Sequence, residues 1–307
     1  EGNLEQAREA LEPIIRREDD PLITPKAMLL LVEVEERAGN QDRVRELLRD
    51  VTQNFPESPE RPRAAVRYAR LLEADGNYEE AVKIYQDVSD TAPHELRAPA
   101  LSGLGREALR QNDDKTALER FRQAVVDAEW DSPDWREAVG YLGDLNTKMI
   151  FAEAPTAESK VYTVEAGDNL VDIGVKLNTT LGLLTRANGI DDPRRLYPGQ
   201  SLKYTPKDFR IIIERATCRL FLMDKDGIFK IYPLGLGRPG HETTLGVYKI
   251  GNKIKDPTWH KPGAGPIPPG DPRNELGTRW MPLVPVEQGL PTDLGIHGTI
   301  EPETIGQ

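Results

Sequence analysis

The chain of 307 residues contains a single cysteine, so an internal disulfide framework is excluded and the redox compartment is left undecided. No apolar run approaches the length of roughly 20 residues that a membrane-spanning helix needs, so no transmembrane segment is expected within this chain. The chain begins at Glu1 with neither a methionine nor a signal peptide. That start is compatible with a processed or trimmed product, and it gives no direct information on export.

Basic residues are outnumbered by acidic residues in only one half of the chain. Residues 1–150 contain 32 acidic and 21 basic residues, whereas residues 151–307 contain 19 of each. The net charge of −11 therefore belongs to the first half. Because there is no basic stripe, nucleic acid is not expected as a partner. The acidic half is instead expected to offer a surface to a protein partner.

A short phrase recurs four times in this first half. Each copy contains a small residue, and these residues are spaced by 37, 37 and 36 positions. A large apolar residue follows each of them four positions later, which places both on one face of a helix. Gly-Asn pairs predict the turn between paired helices, because glycine tolerates the positive φ of a helix C-cap. The small and large residues are Ala7, Val44, Ala81 and Ala117, and Leu11, Leu48, Tyr85 and Phe121.

This pattern resembles a tetratricopeptide (TPR) array, although the period is slightly longer than the usual ~34 residues. The alternative is a generic helical bundle with coincidental spacing, and three nearly equal steps argue against it. Residues 1–150 are therefore assigned to an α-helical, TPR-like solenoid. Glu1 falls just before the second helix of a repeat, and half a repeat cannot bury its apolar face alone. We therefore expect the natural protein to extend upstream.

Residues 151–159 are small, polar or proline and predict a linker. The next segment, residues 160–206, predicts a small βααβ module. Its first helix begins after a cap at Asp168 or Asn169, and its second helix begins after Thr179 or Thr180. A Pro-Gly turn then leads into a last strand over 201–204.

This module resembles a LysM domain over nearly its whole length. The resemblance implies binding to glycans that contain N-acetylglucosamine, such as peptidoglycan. A LysM module that serves only as a spacer is the alternative, because a fold does not by itself confer a function. The matching segments include Tyr162-Thr163-Val164, Asn188-Gly189-Ile190 and Pro198-Gly199-Gln200-Ser201-Leu202. The implied glycan-binding residues are Gly167, Asp168, Asn169, Leu170, Asn188 and Ile190.

From Phe209 onward the pattern predicts strands. Apolar runs over 210–214 and 219–223 precede a hairpin turn at Asp224-Lys225-Asp226-Gly227. Glycine and proline are dense from Gly235 to Gly270 and exclude central helices. Residues 207–307 are therefore predicted to form a mostly-β domain with long loops.

The most specific motif is Gly295-Ile296-His297-Gly298-Thr299-Ile300-Glu301-Pro302-Glu303-Thr304-Ile305-Gly306. It closely resembles the I-H-G-T-x-x-P-x-x-I-G segment of the L,D-transpeptidases, the YkuD-like cysteine acyltransferases of the bacterial cell wall. In that family a Ser-x-Gly-Cys-x-Arg motif follows, and its cysteine would lie about six residues beyond Gln307. The domain is therefore expected to be truncated before its cysteine motif and to hold the base without the nucleophile. Further matches are Leu234-Gly235-Leu236-Gly237, Asp256-Pro257-Thr258-Trp259 and Asn274-Glu275-Leu276-Gly277-Thr278-Arg279-Trp280.

The resemblance implies that His297 is the catalytic base and that the carbonyl of Gly298 fixes its tautomer. It also implies substrate-binding residues, two of which, the tryptophans, could instead fill the core. Cys218 stands at a strand start with no glycine elbow and is predicted to be inert. No metal or other cofactor is expected. The implied substrate-binding residues are Trp259, His260, Arg279, Trp280 and Thr299.

The sequence thus predicts a multidomain protein of the bacterial envelope, periplasmic or otherwise extracytoplasmic, whose partner is peptidoglycan through both its glycan and its stem peptide. The expected reaction is cysteine acyl transfer from a stem tetrapeptide to an amine acceptor, with release of D-Ala. The alternative is a non-catalytic peptidoglycan-binding scaffold with a degenerate transpeptidase domain. The acyl acceptor stays open, because cross-linking, protein attachment and hydrolysis share the same first step.

Overall fold

The structure is a computed structural model that describes residues 2–17, 20–156, 158–237, 243–261, 263 and 265–306. The chain divides into two compact units. The first unit consists of Glu1–Phe209 and Asp224–Lys230, and the second consists of Arg210–Met223 and Ile231–Gln307. In the described ranges, every helix is too short or too polar to cross a lipid bilayer.

Eight α-helices form in the described part of residues 1–151, and each packs on the next one along the chain. The prediction of a helical first half is confirmed. A short 3-10 turn, His94–Leu96, precedes the sixth helix. The helices are α1 Gly2–Ile15, α2 Ile23–Ala38, α3 Gln41–Asn54, α4 Arg61–Ala74, α5 Tyr78–Thr91, α6 Ala98–Arg110, α7 Asp114–Asp127 and α8 Pro133–Phe151.

The turns within the helix pairs use the left-handed conformation that the Gly-Asn phrases predict. Gly39 has φ +78° and Gly76 has φ +83°. The third copy of the turn has no glycine, and Asn112 takes up φ +60° in its place. Asparagine is one of the few other residues that adopts this conformation readily. The same local geometry therefore recurs although the residue changes.

The repeated apolar positions form the core of the array. Tyr85 and Phe121 are almost wholly buried, and both press against α6. Helix α6 has a glycine at each of these contacts. A Cβ on Gly105 would lie 2.7 Å from the ring of Phe121, and a Cβ on Gly103 would overlap the ring of Tyr85. The two glycines thus make the space that the two aromatic rings fill.

The segment that resembles LysM has the expected βααβ order. Its strands pair antiparallel, from Lys160 opposite Tyr204 to Thr163 opposite Ser201. Of the proposed helix N-caps, the structure uses Asn169 and Thr180. Their side chains accept hydrogen bonds from backbone N–H groups of the helices that follow. The core consists of Val164, Leu170, Ile173, Leu184 and Leu202. The elements are β1 Lys160–Thr163, α9 Leu170–Lys176, α10 Leu181–Ala187 and β2 Ser201–Tyr204.

The LysM-like module packs on the end of α8. Lys203, in β2, extends its ammonium group to the carbonyl oxygen of Met149 at 3.0 Å and also to that of Ala152. The guanidinium of Arg186 lies 3.7 Å from the ring centroid of Phe151. Burial lowers the pKa of Lys203. The ammonium group thereby satisfies carbonyls at the C-terminal end of the helix, where the helix dipole favours a cation.

A second set of charges joins residues of the predicted linker to their surroundings in the first unit. Glu158 accepts from Lys207 at 2.8 Å and from Arg122, on α7, at 2.5 Å. Lys207 also donates to Asp224 at 2.6 Å, and both of those side chains are only 4% exposed. The segment 151–159 therefore makes ion pairs of its own within the folded unit.

The remainder of the chain is built from strands and long loops, as predicted. The first sheet has the order β3-β4-β5, and β3 pairs antiparallel with β4. The second sheet has the order β6-β8-β7, with β9 also paired to β8. In the described part of residues 207–307 the only helical element is the 3-10 turn Pro302–Thr304. The strands are β3 Arg210–Glu214, β4 Arg219–Asp224, β5 Gly227–Pro233, β6 Tyr248–Ile250, β7 Ile254–Lys255, β8 Arg279–Pro285 and β9 Gly295–His297.

Candidate active site

His297 is the last residue of β9 and lies directly opposite Trp280 in the antiparallel β8–β9 pair. The two rings are stacked, with centroids 5.7 Å apart and planes inclined by 28°. A Cβ on Gly295 would overlap the indole of Trp280, so only glycine at that position leaves room for the ring. The indole therefore lies beside the imidazole and limits its orientation.

The imidazole has a backbone partner one residue further along the chain. Its Nδ1 lies 2.6 Å from the carbonyl oxygen of Gly298. A carbonyl oxygen can only accept, so Nδ1 carries the proton in this bond and Nε2 has the free lone pair of the neutral ring. This is the tautomer that a general base acting through Nε2 requires.

Gly298 is also held through its backbone N–H, which has two carbonyl oxygens as partners. Its N–H donates to the carbonyl oxygen of Leu276 at 3.0 Å and approaches that of Arg279 at 3.3 Å. Gly277 has φ +64°, and a Cβ there would lie 3.1 Å from the Cα of Gly298. Glycine at 277 thus supplies both the left-handed backbone and the close approach of the two segments.

Trp259 and His260 lie on the long loop that precedes β8. Trp259 forms an isolated antiparallel bridge with Ile267, with N···O distances of 2.8 and 2.9 Å. Its ring is half-buried, and the ammonium of Lys261 lies 4.7 Å from the ring centroid. His260 is exposed. These two residues therefore belong to an ordered loop, and their role in substrate binding stays a prediction.

The remaining two candidates have local backbone partners. The Oγ1 of Thr299 accepts from the N–H of Glu301 at 2.9 Å and stabilises the turn after β9. Arg279 is exposed, donates to the carbonyl oxygen of Thr278 at 2.7 Å and lies 4.0 Å from Asp256. Of the predicted site residues, the structure brings Trp280 and Gly298 against His297, and substrate contacts by Arg279 and Thr299 stay predictions.

Asn274 lies in this region and was not among the predicted site residues. It is 3% exposed, and its side chain bonds to the backbone of three segments. An asparagine among glycines and prolines is typical of an exposed turn. The only available signal was its place in the Asn274-Glu275-Leu276-Gly277 motif.

In the described ranges, no group of three or more His, Cys, Asp or Glu could hold a metal ion.

The candidate glycan-binding residues of the LysM-like module mostly have internal partners. Asp168 accepts from the N–H of Glu165 and from the hydroxyl of Tyr162, both at 2.8 Å, and these bonds hold its pKa below the ordinary value. Asn188 donates to the carbonyl oxygen of Lys203 and accepts from its N–H. Glycan binding by these residues, and by Gly167, Asn169, Leu170 and Ile190, stays a prediction.

Comparisons with known proteins support each of the three regions. Residues 208–307 match the family model described as L,D-transpeptidase catalytic domain, residues 162–205 match that of the LysM domain, and residues 60–125 match a tetratricopeptide repeat. A Bacillus licheniformis protein provisionally named L,D-transpeptidase YkuD is 26% identical over 155 residues, which cover 48% of this chain and 80% of that protein.

Among solved structures, the crystal structure of BtubC (BKLC) from P. vanneervenii is similar at a TM-score of 0.39 and 16% identity. The similarity covers 48% of this chain and 66% of that one, and at this TM-score it supports no argument. The family matches confirm the recognition made from the motifs. Along this chain, regions similar to a tetratricopeptide repeat, a LysM domain and the L,D-transpeptidase catalytic domain of the YkuD type follow one another in the predicted order.

Proposed function

We propose that the protein is a peptidoglycan L,D-transpeptidase that works outside the cytoplasm, in cross-linking or remodelling of the bacterial cell wall. The observation that carries the proposal is the state of His297, whose Nδ1 is engaged by the Gly298 carbonyl at 2.6 Å. This arrangement directs Nε2 to the proton transfers of an acyl-transfer reaction.

In the first step, Nε2 of His297 takes the proton of a cysteine thiol, which gives an imidazolium–thiolate pair. The thiolate then attacks the carbonyl carbon of the amide between the third stem residue and D-Ala. The thiolate is required because a neutral thiol is a poor nucleophile. The C–N bond breaks, His297 donates its Nε2 proton to the leaving amine, and a thioester forms as D-Ala departs. We assign the nucleophile to the Ser-x-Gly-Cys-x-Arg motif that follows the I-H-G-T segment in the family.

In the second step, an amine of another stem peptide attacks the thioester carbonyl. The C–S bond breaks, Nε2 of His297 takes the proton of the attacking amine, and the thiolate is restored. The chain of proton transfers therefore begins and ends with the same ion pair, and no external oxidant or cofactor is required.

The other two regions support this chemistry by localisation. The LysM domain would hold the enzyme on glycan strands and raise the local concentration of stem peptides. The tetratricopeptide region, which carries the net negative charge, would bind a protein partner. Glycan binding does not depend on the chemistry at His297 and can be tested separately.

The experiment measures covalent labelling by a carbapenem, a β-lactam class to which this family is typically susceptible, by intact-mass spectrometry. It uses the natural chain read through the proposed cysteine motif. A His297→Ala variant is expected to label roughly 10³-fold more slowly, the usual loss when one member of an activated nucleophile pair is removed. The matched control is His94→Gln, a histidine of the helical array, which should label at the parental rate.

Thermal unfolding of each variant checks the fold, and a pull-down with insoluble sacculi measures glycan binding in parallel. An unchanged labelling rate in folded His297→Ala would remove His297 from the reaction. Retention on sacculi without any labelling of the parental chain would favour the scaffold alternative. Equal retention after deletion of 160–206 would reassign binding to another region.

A further inference from the structure

The carboxamide of Asn274 connects three backbone segments next to His297. Its Nδ2 donates to the carbonyl oxygen of Pro257 at 2.9 Å and to that of Pro268 at 3.2 Å. Its Oδ1 accepts from the N–H of Leu276 at 3.2 Å. An amide side chain has two N–H donors and one carbonyl oxygen, and all three are engaged. In a residue that is 3% exposed, this set of bonds replaces the hydration lost on burial.

The hydrogen bonds of Asn274 form two arms, one from Oδ1 and one from Nδ2. The Oδ1 arm leads to the imidazole of His297 through three successive hydrogen bonds. Asn274 Oδ1 holds the N–H of Leu276, and the carbonyl oxygen of Leu276 accepts from the N–H of Gly298 at 3.0 Å. The carbonyl oxygen of Gly298 then accepts from Nδ1 of His297 at 2.6 Å. The N–H and the C=O of Leu276, and those of Gly298, lie on either side of a Cα atom, so the connection acts by fixing the position of the backbone.

The other arm fixes the loop that carries Trp259. The carbonyls of Pro257 and Pro268 flank the Trp259–Ile267 bridge on its two strands. A single buried side chain therefore ties the base and the neighbouring aromatic loop to the same point. A displacement of about 1 Å in such an arrangement is enough to reduce a reaction rate by ~10²-fold.

We propose that Asn274 is a positioning residue that selects the Nδ1–H tautomer of His297 by holding the Gly298 carbonyl in place. The inference rests on the proposed function only in treating His297 as the base. It concerns the state of the ring, so it can be tested without any acyl transfer.

The test uses the 307-residue chain with ¹⁵N-labelled histidine, whose ring ¹⁵N shifts report which nitrogen carries the proton. A His297→Gln variant assigns the His297 signals among the four histidines. In alkaline buffer, where the imidazole is neutral, the parental ring is expected in the Nδ1–H form. Asn274→Ala should shift the tautomer ratio toward Nε2–H on the order of fivefold, the equivalent of one ordinary hydrogen bond.

Ile267→Val is the matched control, because it loosens the same loop without removing a hydrogen bond of the chain to His297. It should leave the tautomer ratio unchanged. Asn274→Asp separates the two arms, since a carboxylate keeps the acceptor for Leu276 but has no donor for the proline carbonyls. It should preserve the His297 signals and alter the fluorescence of Trp259. The contribution of Trp259 is obtained by subtracting the spectrum of the matching protein that carries Trp259→Phe.

A folded Asn274→Ala with parental His297 shifts would overturn the proposal. If the variants do not fold, couplings across the hydrogen bonds of the unaltered chain decide. Scalar couplings from Gly298 N to the Leu276 carbonyl carbon, and from Leu276 N to Cγ of Asn274, are expected, and their absence in a resolved spectrum would refute the connection. A chain that shows the tautomer effect but no carbapenem labelling would retain this inference and lose the proposed reaction.

Discussion

At the scale of single residues, Gly295 controls the space beside the base. Its missing side chain is the reason that the indole of Trp280 can stack on His297 across the β8–β9 pair. The sequence pointed to His297 and Gly298 through the I-H-G-T motif, and in the structure Nδ1 of His297 lies 2.6 Å from the carbonyl oxygen of Gly298. Their catalytic role stays a prediction. The sequence also predicted a substrate contact for Trp280, whose ring stacks on His297 in the structure, and that contact stays a prediction.

A Gly295→Ala substitution tests this packing. The added methyl group would overlap Trp280, so the ring must move, and overpacking of this kind typically costs about 1–3 kcal/mol. Gly265→Ala is the matched control, since a Cβ there has no atom within 4 Å. Chemical denaturation should show a lower midpoint for Gly295→Ala only. A movement of the Trp280 indole signals should accompany it, and unaltered signals would contradict the packing argument.

At the scale of elements, helix α6 shows what a sequence pattern can and cannot supply. The steps of 37, 37 and 36 residues predicted the helix pairs, because periodicity records which face of each helix is buried. Nothing in that pattern explains why α6 carries Gly103 and Gly105. Their role depends on which aromatic rings lie across the contact, and contacts between helices are not encoded in the period of one helix.

Gly103→Ala is therefore expected to destabilise the array, against the usual trend. Alanine in a helix interior is normally favoured over glycine by about 0.5–1 kcal/mol. At Gly103 the new methyl group would overlap the ring of Tyr85, which is buried. Gly140→Ala on α8 is the control with open space around it, and it should raise the melting temperature. Calorimetry should show a lower melting temperature for Gly103→Ala and a higher one for Gly140→Ala. A higher melting temperature for Gly103→Ala would show that the helices separate easily.

The loops of the second unit illustrate the other limit of sequence reasoning. Density in glycine and proline correctly excluded α-helices there, since neither residue suits a helix interior. The same composition gave no indication that Asn274 is buried. Asn274 is buried because three loop segments, which are separate in the sequence, contact one another around it. A local sequence pattern does not predict contacts of this kind.

At the scale of the whole molecule, an ion-pair cluster joins parts of the first unit that are distant in sequence. Glu158 binds Lys207 and Arg122, and Lys207 also binds Asp224. Burial disfavours the Glu158 carboxylate, but hydrogen bonds from Lys207 and Arg122 outweigh it and lower its pKa below the ordinary value of 4.5. Burial likewise disfavours the Lys207 ammonium, and its two carboxylate partners nevertheless raise its pKa.

The directions of these pKa shifts determine how the stability of the first unit depends on pH. A carboxylate with a lowered pKa in the folded state contributes stability that is present above the ordinary pKa and is lost as the pH falls through the folded value. Acidification from neutral pH to below 4.5 should therefore weaken the first unit, and Glu158→Gln should remove part of that dependence. Melting temperatures against pH measure it. The control is Glu165→Gln, which removes an exposed carboxylate 3.8 Å from Lys176. If Glu165→Gln changed the pH dependence of the melting temperature as much as Glu158→Gln, the ion-pair cluster would not be its cause.

The contact between Lys203 and the end of α8 has a consequence for how such proteins can recombine during evolution. Here the carbonyls of Met149 and Ala152, which belong to the helical array and its extension, obtain their donor from a lysine inside the LysM fold. An exchanged domain without a cation at that place would leave these carbonyls without it. The helical array and the LysM-like module should therefore be inherited together, and Lys203 should change between relatives only when the end of α8 changes with it.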